Sequence, residues 1–292
     1  MNELFRTDID MSALSSMRTG GIASAAFFPK TEEELCETIR RLVRENKRYY
    51  VFGNLSNVLL ADGVLNFVPV ITTGLKSVST EKTPDGARVY ASCGTSLTAL
   101  ALEMCRKNLA GLSFAYGIPG TVGGAVFMNA GAYGSEMKNI VQSVRFYDTD
   151  TDTICEIPAS DCGFAYRTSA FQHKNGVILG AYLVLSDDSN GTALAEAKDF
   201  MERRREKQPL EYPSCGSAFK RPEGYFAGEL IEKCGLKGYA FGGACVSEKH
   251  SGFVINKGGA TSSDVEKLLF DVRAKVLQKF GVELEPEIRI LK

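Results

Sequence analysis

The sequence predicts an α+β fold. An amphipathic helix runs directly into a strand, and later helices and strands alternate without the even spacing of a doubly wound sheet. The chain is also long: 292 residues, 44% apolar and 24% charged, enough for two or three packed units.

The first helix is expected over residues 31–46 (TEEELCETIRRLVREN). Leu35, Ile39, Leu42 and Val43 form one apolar stripe, and Thr31 with Glu34 makes a capping box. A strand follows at 48–52 and stops at Gly53, with further strands at 68–72 and 88–92 and a helix at 96–107. Residues 111–134 turn sharply toward Gly, Ala and other small side chains. Strands resume at 143–149, 153–158 and 176–185, and SDDSNGT at 186–192 is the linker candidate. A helix at 193–205 opens the C-terminal part. In its last helix Ser263 caps with Glu266, and Val265, Leu268, Leu269, Val272, Val276 and Phe280 form the buried face. Gly281 ends that helix, and a strand spans 287–291. No internal repeat interrupts this order.

The net charge of −1 supplies no field to gather nucleic acid or an anionic membrane surface, so local groups must hold any anion. The N-terminal segment has no apolar run of signal-peptide length, and nowhere do about 18 uncharged apolar residues follow one another. Eight cysteines without a C-x-x-C pair read as reduced, mostly buried thiols of a cytoplasmic protein. His173 and His250 are far apart and lack ligand-spaced partners, so no metal site is expected.

Two segments suit close approach of backbone to an anion. Gly53-Asn54-Leu55-Ser56-Asn57 follows a strand and combines a tight turn with short donors, although taken alone it also fits a plain turn. Residues 117–134 contain six glycines, three alanines and no charge, a composition that leaves room for a large flat ligand. They match neither the P-loop nor the Rossmann fingerprint.

GNLSNVLLADG and GIPGTVGGAVFMNAGAYG resemble the paired FAD-binding segments of the UDP-N-acetylenolpyruvoylglucosamine reductases, a family with the vanillyl-alcohol-oxidase-like FAD fold. The resemblance runs from about Ser15 to Ile290. It implies an FAD-binding domain over 1–190, in two α+β subdomains (about 1–75 and 76–190), and a smaller α+β substrate-binding domain over 191–292. It also implies that the two segments clamp the FAD pyrophosphate. The first would contribute Gly53, Asn54, Ser56 and Asn57; the second Gly117, Pro119, Gly120, Thr121 and Gly123, with Asn129 and Gly131 nearby.

Three more motifs follow in the family's order. In Phe164-Ala165-Tyr166-Arg167, Arg167 would stabilise negative charge on the substrate carboxylate, since its planar donor fork fits one, and Tyr166 would pack near the substrate. In Ser214-Cys215-Gly216-Ser217-Ala218-Phe219-Lys220-Arg221-Pro222, Ser217 corresponds to the proton donor. In Leu284-Glu285-Pro286-Glu287-Ile288-Arg289, Glu287 corresponds to the catalytic glutamate. Lys207, in Lys207-Gln208-Pro209, would take the UDP phosphates, with Lys220 and Arg221 as secondary contacts; His250 reads as structural. The implied reaction reduces UDP-N-acetylglucosamine enolpyruvate to UDP-N-acetylmuramate for peptidoglycan synthesis. NADPH reduces the bound FAD, the flavin passes hydride to the substrate methylene, and Ser217 protonates the adjacent carbon, with the active site at the domain junction. A monomer is expected, with no nucleic acid or membrane partner. Two rival readings are an FAD oxidase of the same wider fold and a nucleotide-binding protein without flavin. The stretch after Arg167 is short, as in the compact branch of the family, and Ser113 stands where the family often has Glu.

Overall fold

The computed structural model describes residues 4–292; residues 1–3, the start of the N-terminal segment read above, lie outside the described residues. The chain forms two compact units. One comprises the chain up to Arg6, Ala25–Asn54 and Phe67–Arg203; the other comprises Thr7–Ser24, Leu55–Asn66 and Arg204–Lys292.

In chain order the strands are β1 (Phe5–Asp10), β2 (Ile22–Phe27), β3 (Tyr49–Phe52), β4 (Val58–Leu60), β5 (Val68–Ile71), β6 (Val78–Thr83), β7 (Gly86–Ser92), β8 (Leu109–Ala110) and β9 (Gly131–Ala132). They continue as β10 (Ser135–Glu136), β11 (Val141–Asp148), β12 (Thr153–Pro158), β13 (Gly176–Asp187), β14 (Ser214–Ser217), β15 (Ala240–Phe241), β16 (Ala244–Val246), β17 (Phe253–Asn256) and β18 (Arg289–Leu291). The helices are α1 (Glu32–Arg44), α2 (Leu97–Arg106), α3 (Val122–Phe127), α4 (Thr192–Lys207), α5 (Ala227–Lys233) and α6 (Ser262–Phe280). The mixture is α+β, as the sequence predicts.

In the first unit, β3 pairs with β5 in parallel, and β5 meets β2 at Phe27 and Val70. A larger antiparallel sheet has the order β12-β11-β13-β7-β6, with β8 added to the end of β13. Its inner face packs Val89, Val144, Leu179 and Leu183 against Leu35 and Ile39 of α1 and Leu97, Leu100 and Met104 of α2. Burying each such side chain contributes about 1.5–3 kcal/mol. Thr31 caps α1 by accepting from the Glu34 N–H (3.1 Å), but the Glu34 carboxylate reaches back to the Lys30 N–H (2.7 Å), not to that of Thr31. Val43, placed on the buried stripe by its hydropathy, is 45% exposed; Cys36 and Thr38 are buried with Leu35, Ile39 and Leu42 instead.

The predicted linker is mostly structured. β13 runs through Asp187, and the Asp188 carboxylate accepts from the Thr192 and Ala193 N–H groups, starting α4. Ala193 and Ala197 then pack on Cys105, so the first turns of α4 belong to the first unit.

In the second unit, β14-β17-β16-β15 form an antiparallel sheet, and β18 pairs in parallel with β4. Helices α5 and α6 cover a core of Leu230, Ile231, Val265, Leu268, Leu269, Val272 and Val276 that also takes in Met17 and Leu59. Two early segments join the C-terminal part through specific bonds. Asn256 Nδ2 donates to the Met17 carbonyl (3.0 Å), and the Ala61 N–H donates to the Leu291 carbonyl (2.9 Å). The cap of α6 is Thr261, in a box with Asp264, two residues ahead of the Ser263–Glu266 pair expected from sequence. Asp62 explains the difference: its carboxylate accepts from the N–H groups of both Ser262 and Ser263 (2.9 Å each), so those residues already lie inside the helix. Among the described residues no helix is long and apolar enough to cross a membrane, and no cluster of His, Cys, Asp and Glu could hold a metal ion.

Candidate functional site

Gly53 and Asn54, the start of the first glycine segment, meet the second segment within the first unit, whereas Leu55, Ser56 and Asn57 belong to the second unit. Gly53 leaves β3 so close to Thr121 that a methyl group there would lie 2.1 Å from Thr121 Oγ1. Asn54 Nδ2 donates to the Pro119 carbonyl (3.1 Å), a second tie between the segments. Thr121 is buried and caps α3 through the Gly124 N–H (3.4 Å).

Their backbone donors differ. The N–H groups of Gly53, Leu55, Ser56 and Asn57 donate to no acceptor among the described residues, and Leu55 holds a positive φ of 45°. Such donors invite an anion. In the second segment the amides are already bonded. Gly117 donates to Thr98 Oγ1 (3.2 Å), Gly120 to Ile118, Val122 to Thr95 and Gly123 to Cys93 (2.9 Å each). The second segment therefore offers a small, uncharged surface, while the first offers unsatisfied donors. Gly123 is itself glycine for packing: a methyl group would sit 2.8 Å from Cys93 Cβ. A methyl group at Gly134 would meet nothing within 4 Å, and one at Gly124 would meet only Thr121 Oγ1, at 3.7 Å. Within the first unit, the Gly53 N–H and the small, uncharged surface of the second segment against it suit close approach of an anion such as a flavin diphosphate.

Farther along, Asn129, Arg167 and Tyr133 all hold positive φ. Asn129 (φ 42°) is fully buried; its Nδ2 donates to the Ala165 carbonyl (3.0 Å) and its Oδ1 accepts from the Lys138 N–H (2.9 Å). It thereby clamps the 165–168 turn, which carries Tyr166 and Arg167 at its tip. Arg167 (φ 56°) has its carbonyl held by Gln172 Nε2 (3.1 Å), and its Nη2 donates to the Gly131 carbonyl (3.2 Å). Its guanidinium lies 5.0 Å from the Tyr166 ring, and Tyr166 is half exposed. Tyr133 (φ 54°) is the third. Thr98, Asn129 and Gln172 set this geometry, yet their bonds span 9 to 45 residues, and Thr98 and Gln172 have no local sequence signal.

In the second unit, Ser217 ends β14 after Gly216 (φ 76°), which turns the hydroxyl outward; Ser217 is exposed and its hydroxyl has no partner among the described residues. Glu287 lies on the segment paired with the next residues: its N–H donates to the Ala218 carbonyl (2.9 Å), and the Lys220 N–H donates to the Glu285 carbonyl (2.9 Å). Asn57 joins the same group: its Nδ2 donates to the Glu287 carbonyl (3.2 Å), and its carbonyl accepts from the Arg289 N–H (3.1 Å). Lys220 pairs with Glu285 (2.6 Å), and Arg221 lies 3.9 Å over the Phe226 ring. Lys207 is exposed, with no ion pair among the described residues. His250 is packed against Gly228, Gly252 and Phe253, and its Nδ1 accepts from the Gly252 N–H (3.1 Å); burial holds its pKa below the usual value. Burial likewise pushes the Cys93 thiol up to about 12, so it stays protonated.

Residues 208–291 match the model of the UDP-N-acetylenolpyruvoylglucosamine reductase C-terminal domain, and residues 23–157 match an FAD binding domain. A UDP-N-acetylenolpyruvoylglucosamine reductase of Caldicellulosiruptor bescii is 43% identical over 98% of this chain and 90% of its own length. The reductase of Clostridium perfringens strain 13 is 43% identical over 97% of this chain and 92% of its own length. The crystal structure of UDP-N-acetylenolpyruvylglucosamine reductase (MurB) from Thermus caldophilus is similar with a TM-score of 0.81 at 28% identity, covering 99% of this chain and 100% of that one.

Proposed function

Because the chain belongs to the UDP-N-acetylenolpyruvoylglucosamine reductase family, we propose that it reduces UDP-N-acetylglucosamine enolpyruvate to UDP-N-acetylmuramate, with FAD bound and NADPH as hydride donor. The observation that supports the reading is the backbone pairing of the 218–220 and 285–287 segments, in which Ala218, the residue after the exposed Ser217, is hydrogen-bonded to Glu287.

When bound, FAD supplies hydride transfer between NADPH and the methylene carbon of the substrate. The residues of this chain do the rest. Gly53, Asn54, Ser56 and Asn57 hold the FAD diphosphate through N–H and short polar donors, and Gly117, Pro119, Gly120, Thr121, Gly123, Asn129 and Gly131 form or support the surface beside it. Arg167 offers its donor fork to the substrate carboxylate, where charge accumulates as the double bond is reduced; one such donor contributes about 3–4 kcal/mol. Glu287 hydrogen-bonds the same charge-bearing group. Ser217 delivers a proton to the carbon next to the carboxylate, completing addition of hydride and proton across the double bond. A serine hydroxyl is a weak acid, so its usefulness rests on placement. Lys207 neutralises the UDP phosphates, Lys220 and Arg221 add positive charge near Ser217, and Tyr166 packs against the substrate.

The reading extends to a monomeric, cytoplasmic enzyme of cell-wall precursor synthesis, organised as an FAD-binding domain over 1–190 and a substrate domain over 191–292. The test follows NADPH oxidation by the FAD-loaded protein with and without the enolpyruvyl substrate. Oxidation coupled to that substrate is expected, one NADPH per product. Oxidation that ignores it and consumes oxygen instead counts against the reading and favours an oxidase.

A further inference from the structure

Tyr133 occupies an unfavourable place for its type. It and Gly134 are the two turn residues of the β9–β10 hairpin, with register Ala132 to Ser135 and Gly131 to Glu136, and both have positive φ (54° and 86°). Such turns favour Asn-Gly or Gly-Gly, because a bulky side chain is strained there. Strain of this kind persists where surrounding contacts over-determine it. Here the contacts come from α4. The Tyr133 ring stacks on Phe200 with centroids 4.1 Å apart and planes 4° from parallel, and Tyr133 Oη donates to the Phe200 carbonyl (3.0 Å). Helix α4 is fixed in turn by Ala193 and Ala197 against Cys105, and Phe200 packs on the main core.

Two residues before Tyr133, the Gly131 carbonyl accepts from Arg167 Nη2 (3.2 Å). The backbone of Arg167 is held separately, by the 165–168 turn that Asn129 clamps and by Gln172. The Gly131 carbonyl thus fixes the far end of the side chain, and the hairpin bearing that carbonyl is tied to α4 through Tyr133.

We propose that Tyr133 is a positioning residue for Arg167: its stack on Phe200 latches the β9–β10 hairpin so that the Gly131 carbonyl orients the guanidinium. This rests on the reading of Arg167 as the group that stabilises charge on the substrate carboxylate. A guanidinium loosened by even a fraction of its reach presents the wrong edge to a planar carboxylate, and small misplacements of a reacting group are costly.

The test uses FAD-loaded wild type, Tyr133→Phe, Tyr133→Gly, Arg167→Ala and the Tyr133→Gly/Arg167→Ala double variant. Flavin reduction by NADPH and reoxidation by the enolpyruvyl substrate are followed separately. Glycine suits the turn, so Tyr133→Gly is expected to fold and to be reduced by NADPH at the wild-type rate. Its reoxidation by substrate should slow by about tenfold to a hundredfold, while Tyr133→Phe, which keeps the stack, should retain most of the rate. In the Arg167→Ala background, Tyr133→Gly should have no further effect. Equal slowing in both backgrounds overturns the latch and leaves the reading of Arg167 intact, as does an unslowed Tyr133→Gly. Full turnover by Arg167→Ala overturns that underlying reading, and the latch with it.

Discussion

Replacing Gly53 with alanine should damage the fold and FAD binding together, through one contact. The backbone at Gly53 does not have positive φ, so alanine meets no conformational objection there. The obstacle is the new methyl, which would lie 2.1 Å from Thr121 Oγ1, 2.9 Å from its Cγ2 and 3.0 Å from its Cβ. All three distances are well inside the roughly 3.5 Å of a favourable contact. Rotating the threonine side chain moves Oγ1 away but leaves Cβ in place, so the backbone of one segment has to shift. Overpacking of this kind costs about 1–3 kcal/mol, and disturbing the Thr121 cap of α3 adds up to about 1 kcal/mol. Urea unfolding of the FAD-free protein reads that loss directly, and an FAD titration reads weaker binding, about tenfold for each 1.4 kcal/mol. A cycle with Thr121→Gly isolates the cause. The double variant should be more stable than the sum of the single effects by about 1–3 kcal/mol, because the clashing atoms are gone. Additivity within about 0.5 kcal/mol would show that the two segments do not meet as described.

Two further outcomes follow from the second unit. Ser217→Ala should leave flavin reduction by NADPH unchanged and stop product formation; a variant that still turns over at the wild-type rate removes Ser217 from the chemistry. Burial keeps His250 neutral in the folded state, so its folded pKa lies below the unfolded value of about 6.5. The unfolded chain then binds more protons in that window, and the stability His250 contributes is present above about pH 6.5 and lost as the pH falls through the folded pKa. Melting temperatures measured across that range should therefore decline toward acid, and His250→Asn should flatten the decline; an unchanged slope in the variant would assign the proton uptake elsewhere.

Local pattern made much of this legible. The cap at Thr31, the stripe of α1 and the buried face of α6 depend on side chains within a turn or two of each other. Val43 falls on the apolar stripe yet is exposed, because periodicity does not tell how far along a helix the core extends. The local pattern puts the α6 cap two residues late, because its decisive partner, Asp62, lies 200 residues away. The short strands β14 to β17 give too few residues for an alternating pattern, and the six-residue α3 hides in a glycine-rich stretch. Composition flags residues 117–134 but does not separate the reasons for each glycine: Gly123 makes way for Cys93, whereas Gly134 faces open space. Nor could a linear reading foresee that Thr7–Ser24 and Leu55–Asn66 pack with the C-terminal part, since pairings such as β4 with β18 leave no local trace.

The most direct test is optical. The purified protein, freed of ligand and titrated with FAD, should take on a bound-flavin spectrum that bleaches with NADPH under anaerobic conditions and returns on addition of the enolpyruvyl substrate. A folded protein that leaves FAD free in solution at excess, or a bleached flavin that the substrate fails to reoxidise, would contradict it.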